Sequence, residues 1–136
     1  VCRALLGSLP AATFLVGLPA GAIVTAVMLI DDIRDHEFDA TKGWRTGAVV
    51  HGPDWNRSEI TALVALAYAA PIAPWLALGF GAWVLLPLAS APLAFVTVRA
   101  VRTLRERTAL VPLTPKMARL AVVHSVLTAL GLALSG

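Results

Sequence analysis

One cysteine, Cys2, stands in 136 residues. No disulfide can form within the chain, and cysteine usage is silent on redox compartment. Charge is also scarce: Asp, Glu, Lys and Arg make up 14% of the residues, against about 25% in a soluble globule. The scarcity is uneven, because residues 10–30, 60–79, 81–98 and 120–135 contain no Asp, Glu, Lys or Arg at all. Soluble helices need a polar face, and runs of this kind have none to offer. Internal repeats and low-complexity tracts are missing, which excludes solenoids and disordered linkers. No methionine precedes Met28 and the chain opens on Val1, which reads as part of a longer polypeptide, whether natural or trimmed.

What is abundant is hydrocarbon. Apolar residues make up 58% of the chain and the mean hydropathy is +0.79; both point to lipid as the main solvent. The uncharged run 10–30, at about 1.5 Å per helical residue, crosses the roughly 30 Å of a bilayer core. It is too long for a signal peptide's apolar region and leads into a charged segment rather than a mature domain. Gly17 and Gly21 give it a G-x-x-x-G spacing that admits a neighbouring helix. Runs 60–79 and 81–98 carry Pro71, Pro74, Pro87 and Pro92, which membrane helices tolerate as kinks. The expected fold is all-α: a polytopic transmembrane bundle of about four helices, with spans near 10–30, 60–79, 81–98 and 120–135 and an Asp-rich loop at 31–59.

Net charge is +3 with a pI near 9.8. A nucleic-acid partner is rejected, because the basic residues sit at the ends of apolar spans; anionic headgroups and an anionic substrate are the expected partners. With four spans, segments 31–59 and 99–119 share one side of the bilayer. That side holds all Lys and Arg residues except Arg3, so it is expected to be cytoplasmic. Trp75 and Trp83 flank the short turn on the far side, as interfacial aromatics or as ordinary lipid-facing side chains.

The chemistry is concentrated directly after the first span, in the run D-D-I-R-D-H-E-F-D at 31–39. Asp31, Asp35 and Asp39 are spaced by four and share a helix face, toward which Asp32 also leans. Carboxylates so grouped repel one another unless a cation neutralises them, and hard oxygen ligands suit Mg²⁺, which binds one or two carboxylates together with substrate phosphates. Gly43 offers a helix stop. Lys42 and Arg45 beside it can hold phosphate oxygens, the guanidinium bidentately. The plain alternative is a solvated charged loop in which Arg34 and Lys42 balance the acids; the density of five acids in nine positions speaks against it. His36 reads as a surface histidine, His51 as turn chemistry near Gly52-Pro53, and His124 as a neutral histidine bonded to a neighbouring helix. Arg102, Arg105 and Arg107 read as topology-setting charges, with diphosphate or lipid phosphate as the alternative. Tyr68 and Trp75 read equally as tunnel lining or as packing.

The longer run 31–49, D-D-I-R-D-H-E-F-D-A-T-K-G-W-R-T-G-A-V, resembles the second aspartate-rich motif of the UbiA superfamily of intramembrane prenyltransferases. It looks most like the 1,4-dihydroxy-2-naphthoate polyprenyltransferase branch, whose pattern runs approximately N-N-x-R-D-x-x-x-D-x-x-x-G-K-R-T-L-A-V. Arg34, Asp35, Asp39, Gly43, Arg45, Thr46, Ala48 and Val49 match it. Asp31 and Asp32 stand in place of two asparagines, Trp44 in place of a lysine and Gly47 in place of a leucine. The segment P-K-M-A-R-L at 115–120 also resembles the end of that branch.

The resemblance implies the C-terminal part of a nine-helix fold, with the motif between helices six and seven and the first aspartate-rich motif in a missing N-terminal half. It implies Mg²⁺ as cofactor, polyprenyl diphosphate and an aromatic acceptor as substrates, and quinone biosynthesis at the bacterial plasma membrane as the setting. Asp32, Asp35 and Asp39 would be metal ligands, with Asp31 as the alternative to Asp32; Asp35 and Asp39 carry the catalysis. Arg34, Lys42 and Arg45 would bind or orient the diphosphate. Dihydroxynaphthoate, with loss of CO₂, is the acceptor the branch implies, and 4-hydroxybenzoate and homogentisate are the alternatives. By itself the chain is expected to be inactive. A CDP-alcohol phosphotransferase would need a D-G-x-x-A-R element that is absent. A transporter or ion-pathway subunit would need ionisable residues within its spans, where only His124 qualifies, and a non-catalytic scaffold would leave the acids replaceable.

Overall fold

The computed structural model describes residues 11–77 and 79–135, with side chains in the first helix described from Gly17 onward. Cys2, Arg3 and the start of the 10–30 run lie outside the described residues. All the regular structure described is helical. Helix α1 is Ala11–Thr41, α2 is Gly47–His51, α3 is Pro53–Ala69 and α4 is Ile72–Ala77. A 3₁₀ segment, Ala82–Ser90, leads into α5, Ala91–Thr103; α6 is Arg107–Leu110 and α7 is Leu113–Ser135. The fold is thus an all-α membrane bundle. Three stretches among the described residues are long and apolar enough to cross a bilayer: Pro53–Ala77, Ala82–Thr103 and Arg107–Ser135.

The helices begin and end elsewhere than the uncharged runs. Helix α1 does not stop at the charge boundary but continues through the acidic run to Thr41, and at 31 residues it is about 46 Å long. The acids therefore lie on a helix and not in a loop. The reason is local, since no breaker intervenes before Gly43. There the chain turns with φ +72°: the Trp44 N–H donates to the Asp39 carbonyl at 3.0 Å and the Gly43 N–H to the Ala40 carbonyl at 3.1 Å. These are the paired bonds of a Schellman stop. The Phe38 and Trp44 rings meet edge-on at 6.4 Å, supplying the apolar contact that accompanies it. The second span reaches back to Pro53, at the first turn of α3, where a missing N–H costs nothing. Around Pro71 the chain keeps helical dihedrals, Ala70 having φ −57° and ψ −38°. Around Pro87 it tightens to 3₁₀ and then resumes as α5. The prolines do not end these spans, which run Pro53–Ala77 and Ala82–Thr103.

Helix α1 packs most extensively on α3 and next on α7, while α7 also rests on the 3₁₀ segment. The core joins Ile23, Ile30 and Ile33 of α1 to Ile60 and Val64 of α3, Val101 of α5, and Met117 and Leu120 of α7. Outside, Val24, Met28, Leu76, Phe95, Val96, Val122 and Val126 are exposed. Several polar groups are inside: Ser90, Thr97 and His124 are buried, and the Tyr68 hydroxyl meets Ser90 Oγ at 2.6 Å. Apolar side chains outside and hydrogen-bonded groups inside suit a lipid solvent, where packing and interhelical hydrogen bonds hold helices together. Close approach is one such device: a Cβ added at Gly131 would clash with the Trp83 carbonyl oxygen, so only glycine lets α7 meet the 3₁₀ segment there.

His124 faces the neighbouring helix α3, where the Ala67 backbone lies beside its imidazole. Its ring packs edge-on against Tyr68 of α3 at 5.0 Å. Its Nδ1 faces Thr128 Oγ1 of its own helix at 3.4 Å, and Nε2 has no partner of hydrogen-bonding geometry.

Candidate active site

Antiparallel packing brings the end of α1, the start of α3, the end of α5 and the start of α7 to one polar rim. Four contacts tie it together. Thr114 Oγ1 donates to Asp31 Oδ1 at 2.8 Å, Arg107 Nη2 donates to Asp35 Oδ1 at 3.0 Å, Arg105 pairs with Asp54, and Arg57 Nε donates to the Val101 carbonyl at 3.0 Å. Arg57 also reaches the Leu104 carbonyl at 3.2 Å, so a buried guanidinium closes carbonyls that the end of α5 leaves free. Basic and acidic segments therefore share one level.

The acids divide into two groups. Arg34 sits between Asp31 and Asp35: Nη1 is 2.7 Å from Asp31 Oδ1 and Nη2 is 2.6 Å from Asp35 Oδ2. With Arg107 on its other oxygen, Asp35 is held by two guanidinia. The Arg34 hydrogen bond, followed by that of Arg107, keeps its carboxyl below the usual carboxylate range. Asp32 behaves oppositely. Burial first, then the charges of Asp39, Asp31 and Glu59, push its pKa up. Asp39 is itself buried. The field that bears on Asp32 thus comes from Asp39 and from Glu59 of α3 as well as from its neighbour, and no carboxylate bears comparably on Asp35. The shared face expected for Asp31, Asp35 and Asp39 is a shared helix side, but Arg34 joins the carboxylates of Asp31 and Asp35 and leaves Asp39 aside.

Among the described residues no three His, Cys, Asp or Glu side chains are gathered so as to hold a metal ion by themselves. Asp32 and Asp39 nevertheless fit Mg²⁺, which takes one or two protein carboxylates and completes its octahedron with phosphate and water. Asp32, raised in pKa by burial and then by like charges, is a carboxyl that a cation would relieve. Asp35, with both oxygens engaged by guanidinia, fits less well as placed.

Of the expected phosphate contacts, Arg34 is committed to Asp31 and Asp35. Lys42 is exposed, its Nζ 5.3 Å from the Phe38 ring centroid. Arg45 is exposed and has no hydrogen bond or ion pair among the described residues. A cavity of ≈ 230 Å³ opens between Arg34, Asp35, Glu37, Phe38, Thr41 and Arg107, so two guanidinia and two carboxylates line one small recess. His36 bonds the Ile33 carbonyl at 2.8 Å, and His51 ends α2 against Trp55 at 5.3 Å; neither faces the acids.

Glu59, Thr114 and Asn56 belong to this rim although the sequence reading did not single them out, and Arg107 gains a carboxylate partner there. Asn56 is wholly buried, and neither its amide oxygen nor its nitrogen has a hydrogen-bond partner; Thr46 Oγ1 is likewise unpaired. Gly47 makes room for that amide, since a Cβ there would lie 2.8 Å from Asn56 Oδ1. The glycine that departs from the family's leucine thus has a steric reason. The one available signal was a polar residue three positions before Glu59 at the mouth of an apolar run.

Among known protein families, the model of the UbiA prenyltransferase family matches residues 2–122. Neither a curated protein nor a solved structure matches.

Proposed function

The chain belongs to the UbiA prenyltransferase family, and we propose that it serves the transfer of a polyprenyl group from an isoprenoid diphosphate to 1,4-dihydroxy-2-naphthoate, with loss of the acceptor's carboxylate as CO₂. The observation that carries this reading is the acidic end of α1, where Asp35 meets Arg34 and Arg107 and Asp32 and Asp39 stand on the same helix at the edge of an apolar bundle. Cations and metal-binding acids at one site are what an allylic diphosphate needs as its C–O bond breaks and charge collects on the leaving group.

Asp32 and Asp39 would hold Mg²⁺, which supplies charge neutralisation on the diphosphate when bound. Arg34, Lys42 and Arg45 bind or orient phosphate oxygens. Asp35 keeps Arg34 and Arg107 fixed beside the recess and is the third candidate ligand. The helices behind the rim exclude water, which would otherwise trap the allylic cation. The small number of carboxylates that converge here supports a metal site completed by the diphosphate and by a second aspartate-rich motif; this chain alone would then give no turnover. We place the rim on the cytoplasmic side of a bacterial plasma membrane, from its excess of Lys and Arg.

The test is transfer of radiolabelled polyprenyl by membranes carrying the complete polypeptide. Transfer is expected with Mg²⁺ and not with a chelator, and with dihydroxynaphthoate in preference to 4-hydroxybenzoate or homogentisate. Undiminished transfer by an Asp35→Ala/Asp39→Ala double variant would overturn the reading of the site, and a different preferred acceptor would overturn the branch. Turnover by the 136-residue chain alone would refute the two-motif site.

A further inference from the structure

A second recess lies on the outer side of α3 and α5, apart from the acidic helix end. Its volume is ≈ 380 Å³ and its lining is Thr61 of α3 with Phe95, Val98, Arg99, Arg102 and Thr103 of α5. The wall is nearly all hydrocarbon. Its two hydroxyls are used internally, Thr61 Oγ1 on the Arg57 carbonyl at 2.8 Å and Thr103 Oγ1 on the Arg99 carbonyl at 3.0 Å. The polar functions left to a ligand are the guanidinia of Arg99 and Arg102.

Those two arginines, like Arg45 and Arg119, are exposed and free of carboxylates among the described residues, whereas Arg34, Arg57, Arg105 and Arg107 each pair with one. The depth of Arg99 and Arg102 follows from Arg57, whose bonds to the Val101 and Leu104 carbonyls fix this turn of α5 at the level of the polar rim. Phe95, Arg99 and Arg102 are spaced i, i+4 and i+7 and form one stripe. Phe95, 68% exposed, therefore sits about 6 Å deeper than Arg99. The recess thus presents two cations at headgroup level above a hydrocarbon slot running into the bilayer.

We infer that this recess is a binding site for one anionic phospholipid of the surrounding leaflet, its phosphate held between Arg99 and Arg102 and an acyl chain lying along Val98 and Phe95. Charge complementarity selects the anionic headgroup, and the fork of a guanidinium suits a phosphate oxygen pair. The slot beneath selects a chain-bearing lipid over free phosphate, which would leave the apolar wall empty.

The test is lipid retention by the full chain in native mass spectrometry, from nanodiscs that mix phosphatidylglycerol with phosphatidylcholine. The expected result is one retained phosphatidylglycerol. Arg99→Gln/Arg102→Gln should weaken it by roughly thirtyfold, at about 1 kcal/mol for each basic residue near the surface. A Lys116→Gln/Arg119→Gln variant removes the same charge from α7 and should retain the lipid. Circular dichroism checks that both variants keep their helicity, as substitution of exposed side chains should allow.

Four outcomes would each overturn the inference. These are no preference for phosphatidylglycerol, an unchanged preference in the Arg99/Arg102 variant, an equal loss in the α7 control, and displacement of the lipid by inorganic phosphate or by geranyl diphosphate. The last would assign the recess to free phosphate or to an isoprenoid diphosphate.

Discussion

Gly47 and Asn56 provide the sharpest test of how the site motif is built. A Cβ at residue 47 would lie 2.8 Å from Asn56 Oδ1 and 3.6 Å from both Cγ and Nδ2. Asn56 is 0% exposed and has little room to retreat. In an open position Gly→Ala in a helix gains about 0.5–1 kcal/mol through lost backbone freedom in the unfolded chain. Here the inserted methyl must displace a buried amide, and overpacking of this kind costs roughly 1–3 kcal/mol. Gly47→Ala should therefore lower stability by about 1 kcal/mol net, with the clash outweighing the helix gain. Asn56→Ala alone should be near neutral, because a buried amide with no partner is itself a liability of about 1–3 kcal/mol and its removal offsets the small cavity.

The double variant should be more stable than the two single changes predict, by about 1–2 kcal/mol, since the methyl then fills space the amide vacates. Thermal unfolding in detergent, followed by circular dichroism for all four corners of the cycle, gives that coupling. Additivity within about 0.5 kcal/mol, or a stabilising Gly47→Ala, would refute the close approach. Because Arg45 and Thr46 immediately precede Gly47, the single variant should also lose prenyl transfer in the complete enzyme, and the double variant should regain part of it.

The remaining predictions concern packing, capping and charge. Gly131→Ala should destabilise, because its methyl would clash with the Trp83 carbonyl oxygen, whereas Gly21→Ala meets nothing within 4 Å and should gain up to about 1 kcal/mol; equal melting shifts would refute the difference. Arg57→Ala should lower stability by about 2–4 kcal/mol by leaving the Val101 and Leu104 carbonyls unanswered. Arg57→Lys should recover only part of that, and a melting temperature unchanged by either substitution would sink the capping role. Asp35 and Asp32 should titrate in opposite directions from about pH 3.9 in carboxyl-detected NMR, Asp35 below and Asp32 above. The stabilisation from Asp35 is complete above its unfolded pKa and fades as pH falls through the lower folded value. Asp32 works in reverse: its relative stabilisation is full below the unfolded pKa and is lost as pH rises through the raised folded value. Asp32→Asn should accordingly raise the melting temperature at neutral pH, and a lowered one would contradict the crowding of acids around it.

Several features were legible in the residues because they are local. The uncharged runs dictate membrane helices, since a backbone in lipid must satisfy its own hydrogen bonds. Gly43 dictates the end of α1, because it can take the positive φ of a helix stop without a Cβ penalty. The same uncharged runs misled on boundaries. Charge marks where lipid ends, but a helix ends where its backbone bonds end, and so α1 runs on to Thr41 and α3 begins at Pro53. The density of acids at 31–39 pointed to the site proposed above, and the family resemblance on 31–49 agrees with the match over 2–122.

The partners of those acids were decided elsewhere. Helical spacing places Asp31, Asp35 and Asp39 along one side of α1, but it says nothing of which carboxylate a guanidinium will reach. Arg107 comes to Asp35 from 72 positions away, and Thr114 comes to Asp31 from 83. Both arrive because the helix ends share one rim, and the short run from α5 to α7 sets those side chains against α1. The acidic cluster and its helix were thus determined by sequence alone, through charge density and backbone geometry. Its division into a guanidinium-bound Asp35 and a crowded Asp32 facing Asp39 and Glu59 was determined only by tertiary structure, because electrostatic partners depend on distance in space.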